Sequence, residues 1–310
     1  MFAAVLTTFF FACSAILARR SADLVGPQPA NLARQLVALA LLALWAHLAG
    51  QGLRGPGLGV FVFSGVIGFG MGDWALFEAL PRVGPALTVL ICQCLAAPIA
   101  AATEWLWLGT TLTPLQLTSS AVILLGVVLA MAPERESTIP RGHRIAGVLF
   151  AIVAAFGQAW GLVTSRYGFK LDDAAGLHVD GITAAYQRLW GGVVTIALLV
   201  WVMRLAARWP GRPRESRPRP WRRAWPWIVG NAVAGPVLGV SCYQWAAHVA
   251  PSALVLSIVS VSPLVVLLLA FAFERARPSP RAVIGSILAV TGVIALALGP
   301  VIRRWFDASP

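Results

Sequence analysis

The sequence predicts an all-α integral membrane protein of ten transmembrane helices, built as two five-helix inverted repeats. Three observations predict it: a composition too apolar for a water-soluble globule, a succession of helix-length apolar runs, and a set of matched residues recurring at a near-constant separation. Of 310 residues, 58% are hydrophobic and 12% charged, with a mean hydropathy of +0.78. A typical soluble domain has about a quarter of its residues charged. Hydrocarbon offers no partner to an open peptide group, so such runs must close their own hydrogen bonds as helices. The alternating pattern of a membrane barrel is not present.

Helical spans are expected at 2–18, 31–49, 58–80, 84–107, 115–132, 145–165, 182–203, 226–247, 252–273 and 281–299, each near the roughly 20 residues that cross a bilayer. The first run lacks the basic start of a secretory signal, and Arg19-Arg20 follows it instead of preceding it, so it reads as a span. Val25-Gly26-Pro27-Gln28-Pro29 breaks the first pair of helices, Gly55-Pro56-Gly57 the second, and Pro81 with Gly84-Pro85 the third. Such short links force antiparallel neighbours. Gly65, Gly68, Gly70 and Gly72 in the third span and Gly230, Gly235 and Gly239 in the eighth form small-residue stripes that let backbones approach closely. Two polar links interrupt the chain, Pro133 to Arg144 and the arginine- and proline-rich stretch Arg204 to Trp225. The expected organisation is therefore a first half over 1–132, a linker over 133–144, and a second half over 145–299. The second half contains the loop 204–225 and is followed by a polar tail over 300–310.

The net charge of +12, from 24 Lys and Arg against 12 Asp and Glu, would suggest nucleic acid in a soluble protein. Here the arginines sit between apolar runs, where they set orientation and meet lipid headgroups. Membrane lipids are the expected partner, and nucleic acid is not. Links after odd-numbered spans carry 18 of the 24 basic residues, which puts those links in the cytoplasm and both termini outside. Cys13, Cys92, Cys94 and Cys242 lie inside apolar runs, and His47, His143, His178 and His248 are scattered near span ends. Neither set has disulfide or metal-ligand spacing. No phosphate-binding loop, catalytic Ser-His-Asp order or clustered carboxylate pair stands in the sequence, so no cofactor, metal or enzymatic chemistry is expected.

At a separation of 165 to 166 residues, Gly65 meets Gly230, Gly70 meets Gly235, Phe77 meets Tyr243, Val83 meets Val249, Pro85 meets Pro251, Pro98 meets Pro263 and Gly126 meets Gly292. The earlier spans echo it more weakly and at shorter separations, with Arg19 opposite Arg166 and Arg34 opposite Arg188. The ordered set implies two halves of five helices, and an odd number inserts the second half upside-down relative to the first. Inverted repeats are the recurring build of secondary transporters, with the solute held between the halves near the midplane.

The stretch Pro251-Ser252-Ala253 through Val261-Ser262-Pro263, then Phe273-Glu274-Arg275, Gly285 and Thr291-Gly292-Val293, resembles the closing three helices of an EamA domain of the drug/metabolite transporter superfamily. Pro98 matches in the first half, but Gly109 stands where the glutamate would fall and Glu104 lies five residues early. Arg34 and Arg188 resemble the arginine near the start of the second helix of each domain. The resemblance covers about 2–132 and 145–299. It implies export of a small metabolite or drug-like solute by alternating access, in a bacterial-type inner membrane. A membrane-embedded lipid-modifying enzyme and a non-transporting accessory subunit are the alternatives from other classes.

An ionisable group in hydrocarbon costs about 2.5–3.5 kcal/mol on insertion scales, so it is a candidate functional group by default. Asp73, after Gly68-Phe69-Gly70-Met71-Gly72, is placed deepest; an internal salt bridge is its structural alternative. Gln93, Gln158, Asn231, Tyr243 and Gln244, with the aromatic faces of Trp160, Trp190 and Trp245, fall in spans that would line a cavity between the halves. Solute contact is expected for Asp73, Gln93, Gln158, Trp160, Asn231, Tyr243 and Gln244. Arg34 and Arg188 are anion contacts or markers of the lipid interface. Glu78, Glu104 and Glu274 near span ends read as headgroup-reaching or structural, and Trp105, Trp107, Trp225 and Trp227 as interface anchors. The sequence sets no oligomeric state and names no solute.

Overall fold

The computed structural model describes residues 2–108, 114–131, 140–207, 220–249, 252–274 and 279–307. The described chain is helical: α1 Phe2–Val25, α2 Pro27–Leu48, α3 Leu58–Gly65, a π-helical stretch Val66–Gly72, α4 Asp73–Leu108, α5 Pro114–Met131, α6 Arg141–Ala174 and α7 Gly181–Ala207. There follow α8 Trp221–Ala232, a second π-helical stretch Val233–Val240, α9 Ser241–Val249, α10 Ser252–Val259, α11 Ser262–Glu274 and α12 Pro280–Asp307. Gly109, most of the 133–144 linker, the centre of the 204–225 loop and the end of the 300–310 tail lie outside the described residues, as do the side chains of Glu104, Glu274, Trp105 and Trp107.

Five helical runs are long and apolar enough to cross a membrane: Phe2–Val25, Pro27–Leu48, Leu58–Ala100, Arg141–Ala174 and Gly181–Leu205. Shorter apolar helices fill Ala121–Ala130, Ser262–Ala272 and Pro280–Ala295. The 43-residue run Leu58–Ala100 would measure about 65 Å as one straight helix, twice a hydrocarbon core of about 30 Å. It is not straight. Gly84 has φ 79° and ψ 164° inside α4, a conformation other residues rarely adopt, and it breaks the run. Pro81, expected to end the span, instead stays inside the helix. The neighbouring Leu80 carbonyl takes a hydrogen bond from Nη1 of Arg19 at 2.6 Å.

Helix ends extend beyond the apolar runs. α1 continues through Arg19-Arg20 to Val25, and Gly26 alone, at φ 92°, separates it from α2. Arg34 consequently sits inside α2 and Arg188 inside α7, both buried, so neither marks a lipid interface. Removing one arginine from each side of the charge count leaves 17 basic residues against five, and the asymmetry stands. α10 and α11 are separated at Ser260-Val261, just before Pro263. Proline cannot donate to the carbonyl four residues back, and the Ser262 hydroxyl donates to that Val259 carbonyl at 2.6 Å instead.

Small residues let the helices touch. A β-carbon at Gly126 of α5 would stand 2.5 Å from the Ala289 nitrogen and 2.7 Å from the Gly285 oxygen of α12. One at Gly292 would stand 3.0 Å from the Ile123 nitrogen and 3.0 Å from the Ser119 oxygen of α5. The π-helical stretch 66–72 lies as close to α6, where a β-carbon at Gly157 would come 2.5 Å from the Gly72 Cα. Hydroxyls bridge other helix pairs. Ser64 donates to the Gly161 carbonyl at 2.6 Å, Ser14 to Oδ1 of Asn231 at 2.6 Å and Thr8 to the Ile258 carbonyl at 3.0 Å. The largest buried apolar cluster joins Ala3, Leu90, Ile91, Ile123, Ala155, Leu162, Tyr243, Leu256 and Val293, and so ties both ends of the sequence into one core.

Candidate functional site

A cavity of about 90 Å³ opens where α1, α2, α4, α6, α7, α9 and both π-helical stretches converge. Its polar lining is Ser14, Arg34, Asp73, Gln93, Gln158, Arg188 and Tyr243, set among Phe11, Phe69, Leu76, Val89 and Cys92. Each arginine lies where a π-helical stretch crosses another helix at a small residue. Beside Arg34, a β-carbon at Gly235 would stand 2.6 Å from the Ser14 hydroxyl and 3.2 Å from Nη1 of the arginine. Beside Arg188, β-carbons at Gly68 and Gly161 would stand 2.8 and 3.0 Å from its Nη2. Glycine at these points admits a guanidinium between helices that would otherwise close over it.

The two arginines are partnered differently. Arg34 is 4% exposed and pairs through Nη2 with Oδ2 of Asp73, which is 17% exposed. Nη2 also donates to Oδ1 of Asn31 at 3.0 Å, and the guanidinium lies over the Phe77 ring at 4.9 Å. Asp73, anticipated as a functional group with an internal salt bridge as its structural alternative, lines the cavity and is held in a salt bridge by Arg34. Arg188 is 5% exposed and rests over the Phe69 ring at 5.4 Å. Among the described residues its Nε has no hydrogen-bond partner, and no carboxylate pairs with its guanidinium, although Asp73 lies within electrostatic reach. Nε of Arg34 and the Tyr243 hydroxyl are likewise without partners among the described residues. Gln158 donates weakly to Oε1 of Gln93 at 3.3 Å.

Six of the nine expected site residues therefore share the cavity: Arg34, Asp73, Gln93, Gln158, Arg188 and Tyr243. Trp160 does not reach it; its ring is 42% exposed on the outer face of α6, and Nε1 donates to the Thr103 hydroxyl at 2.9 Å. Asn231 is buried one step behind the lining, accepting from Ser14, and Gln244 is fully buried on α9 away from it. Trp190 and Trp245 are also exposed, because a tryptophan on a membrane helix is as well accommodated by lipid as by a cavity. Glu78 is not headgroup-reaching. It is half-buried, ion-paired to Arg82 at 2.6 Å and hydrogen-bonded by Gln28 at 2.8 Å.

The sequence reading passed over Asn31 and Gln35. Oδ1 of Asn31 accepts from Arg34 and from Nε2 of Gln35, at 3.2 Å in the latter case, while Gln35 also donates to the Phe69 carbonyl at 3.0 Å. Polar residues at i, i+3 and i+4 of an otherwise apolar helix share one face, a signal that would have found them. Ser14 and Phe11 carried no such signal.

The sequence profile of the EamA-like transporter family matches residues 1–132 and 145–298. A crystal structure titled only "Crystal structure of protein" is similar in fold, with a TM-score of 0.65 at 20% identity over 97% of each chain. Among curated proteins none matches.

Proposed function

This chain belongs to the EamA-like transporter family, and from that premise we propose a secondary carrier that moves a small solute by alternating access through the cavity at Arg34, Asp73 and Arg188. The protein is a multi-pass membrane transporter; the proposal concerns its architecture, its site and its direction. One observation carries the reading. The buried polar cavity takes its lining from both matched segments: Ser14, Arg34, Asp73 and Gln93 from the first, Gln158, Arg188 and Tyr243 from the second. A site shared between two halves is exposed to either side when one half rocks against the other.

The architecture proposed is ten crossings in two inverted halves. Splitting Leu58–Ala100 at Gly84 and taking each π-interrupted or proline-broken helix as one crossing gives five rods in each half. Reciprocal contacts support a twofold relation between them. Gly126 meets Gly285 and Ala289, and 166 residues on Gly292 meets Ser119 and Ile123, the pattern of a self-complementary interface. The two π-helical stretches fall at corresponding points, and Arg34 and Arg188 each lie against a glycine of the π-helical stretch in the other matched segment. The charge asymmetry supports a bacterial-type inner membrane with the Arg-rich 204–225 loop in the cytoplasm, and family precedent supports export.

The experiment is counterflow in liposomes holding only the purified protein. Preloaded unlabelled solute should drive accumulation of the labelled form for at least one member of a panel of amino acids, short organic acids, nucleosides, sugars and cationic drugs. Absence of exchange for the whole panel, from a protein that is monodisperse and folded, would overturn the carrier reading.

A further inference from the structure

We infer that Arg188 is the anion-holding residue of this site, and that the solute carries one carboxylate group with a body of only a few atoms. This rests on the carrier reading for its cavity and adds the chemistry of what the cavity takes.

The argument begins from the unequal partnering of two equivalent arginines. In the first half Arg34 is neutralised by Asp73 and further held by Asn31 and the Phe77 ring. In the second half the counterpart of Asp73, counted at the 165- to 166-residue separation, is Leu238 or Gly239. Neither can be an anion. Arg188 therefore occupies the same kind of glycine-flanked cradle without the carboxylate, and its guanidinium faces a cavity that it lines at 5% exposure. Burying an ion without a counter-charge is expensive, and breaking up such a pair is among the most destabilising of changes. A guanidinium cannot escape by losing its proton, and its planar fork fits a carboxylate at two points.

Charge balance then fixes the class of solute. Arg34 and Asp73 cancel, leaving a single positive charge on Arg188 at the cavity wall. One carboxylate completes the balance, whereas a cation would meet the surplus charge and a neutral body would leave it uncompensated. The Phe69 ring beneath the guanidinium holds its plane while leaving its edge to accept a partner. The unpartnered Tyr243 hydroxyl and the Gln93–Gln158 pair supply neutral hydrogen-bonding groups for the remainder of the solute. The size is small: an apolar cavity of about 150 Å³ takes up benzene, and this one measures about 90 Å³.

The test uses the purified full-length protein and matched probes: acetate, pyruvate and L-lactate, each beside its neutral amide, with benzoate as the acid too large for the cavity, at constant ionic strength set with sodium chloride. Thermal stabilisation is read against probe concentration, and counterflow is measured with labelled L-lactate. At least one acid should stabilise the protein where its amide does not. Arg188→Gln should raise the half-maximal concentration for that acid by about tenfold or more, as expected for loss of a hydrogen bond to a charged group. Arg188→Lys should retain part of the effect. Asp73→Asn, which removes the negative charge nearest the site, should lower the half-maximal concentration, a direction that a merely structural arginine would not give. If Arg188→Gln does not fold, the last two variants still decide. Equal stabilisation by acids and amides, no stabilisation by any acid, or unchanged acid binding in Arg188→Lys together with Asp73→Asn would overturn the inference. If counterflow of a neutral or cationic solute persists in that case, the carrier reading stands without it.

Discussion

Removing the carboxylate of Asp73 should cost more stability than its partial exposure suggests, because the residue left behind is the buried one. Arg34 is 4% exposed, its Nε has no partner among the described residues, and Nη2 divides itself between Asp73 and Asn31. In Asp73→Ala the guanidinium retains one neutral acceptor and the Phe77 ring. Breaking a buried pair from one side costs about 3–5 kcal/mol. The cavity admits some solvent to Asp73, which is 17% exposed, so the lower end, about 3 kcal/mol, applies. Arg34→Met should cost less, about 2 kcal/mol, since the orphaned carboxylate borders the cavity and can be hydrated.

The double variant Arg34→Met with Asp73→Ala discriminates. It leaves no unpaired ion, so its loss should be about that of the milder single change, and the cycle should return a coupling on the order of 2–3 kcal/mol. Thermal unfolding in detergent, followed by the intrinsic fluorescence of the 13 tryptophans, reads the series as apparent Tm shifts. A 3 kcal/mol loss corresponds to a fall on the order of 5–10 °C. Strict additivity of the two single changes would refute the pairing, as would a shift of less than about 2 °C in Asp73→Ala.

Other outcomes follow from the same contacts. Gly157→Ala would press a β-carbon against the Gly72 backbone, where neither helix can yield cheaply, and should cost about 1–3 kcal/mol. Gly59→Ala, facing open space in α3, should be neutral or gain up to about 1 kcal/mol from helix propensity; comparable losses at both would refute the close crossing. Oδ1 of Asp172 accepts from the Gly57 amide at 2.7 Å, and Asp172 is buried at the end of α6. Asp172→Ala should therefore lower stability by about 1–3 kcal/mol and Asp172→Asn much less, checked by thermal unfolding. Reporter fusions at Arg214 and at the C-terminus should report cytoplasm and exterior respectively, and a periplasmic Arg214 would reverse the assigned orientation.

What was legible in the sequence follows from the period of each signal. Helices were visible because hydrocarbon forces every apolar run to the same answer, and the described interior of each run is helical apart from the break at Ser260-Val261. Their ends were less visible. Arg19 and Arg20 looked like link residues because they are charged, yet α1 carries them as helix, with Arg19 spanning to Asp23 at 2.6 Å and to the Leu80 carbonyl. The cavity was partly visible: intramembrane Asp73 and Arg188 are costly enough to stand out, and glutamines at 93 and 158 are polar enough to notice. Rotation about a helix axis was not. Trp160 lies two positions from Gln158 yet points outward, since two residues turn an α-helix by about 200°. No composition rule distinguishes an aromatic residue facing lipid from one facing a solute.

The two π-helical stretches explain why the glycines matter beyond packing. A π turn inserts one extra residue and is frequent at functional sites; here one stretch ends at Gly72, next to Asp73, and the other contains Gly235 beside Arg34. Each stretch crosses the other half at residues without bulk, and each crossing holds a guanidinium. If the arginines served only to tie helices together, the same fold repeated twice would be expected to repeat the counter-ion as well. The acid is present once. At this pair of positions the two matched segments differ in charge: Asp73 stands in the first, Leu238 or Gly239 in the second. The carrier proposed above needs its site to bind one solute in both of its states. In that reading the Arg34–Asp73 pair keeps Asp73 from competing with the solute, and Arg188 is the group whose charge the solute satisfies.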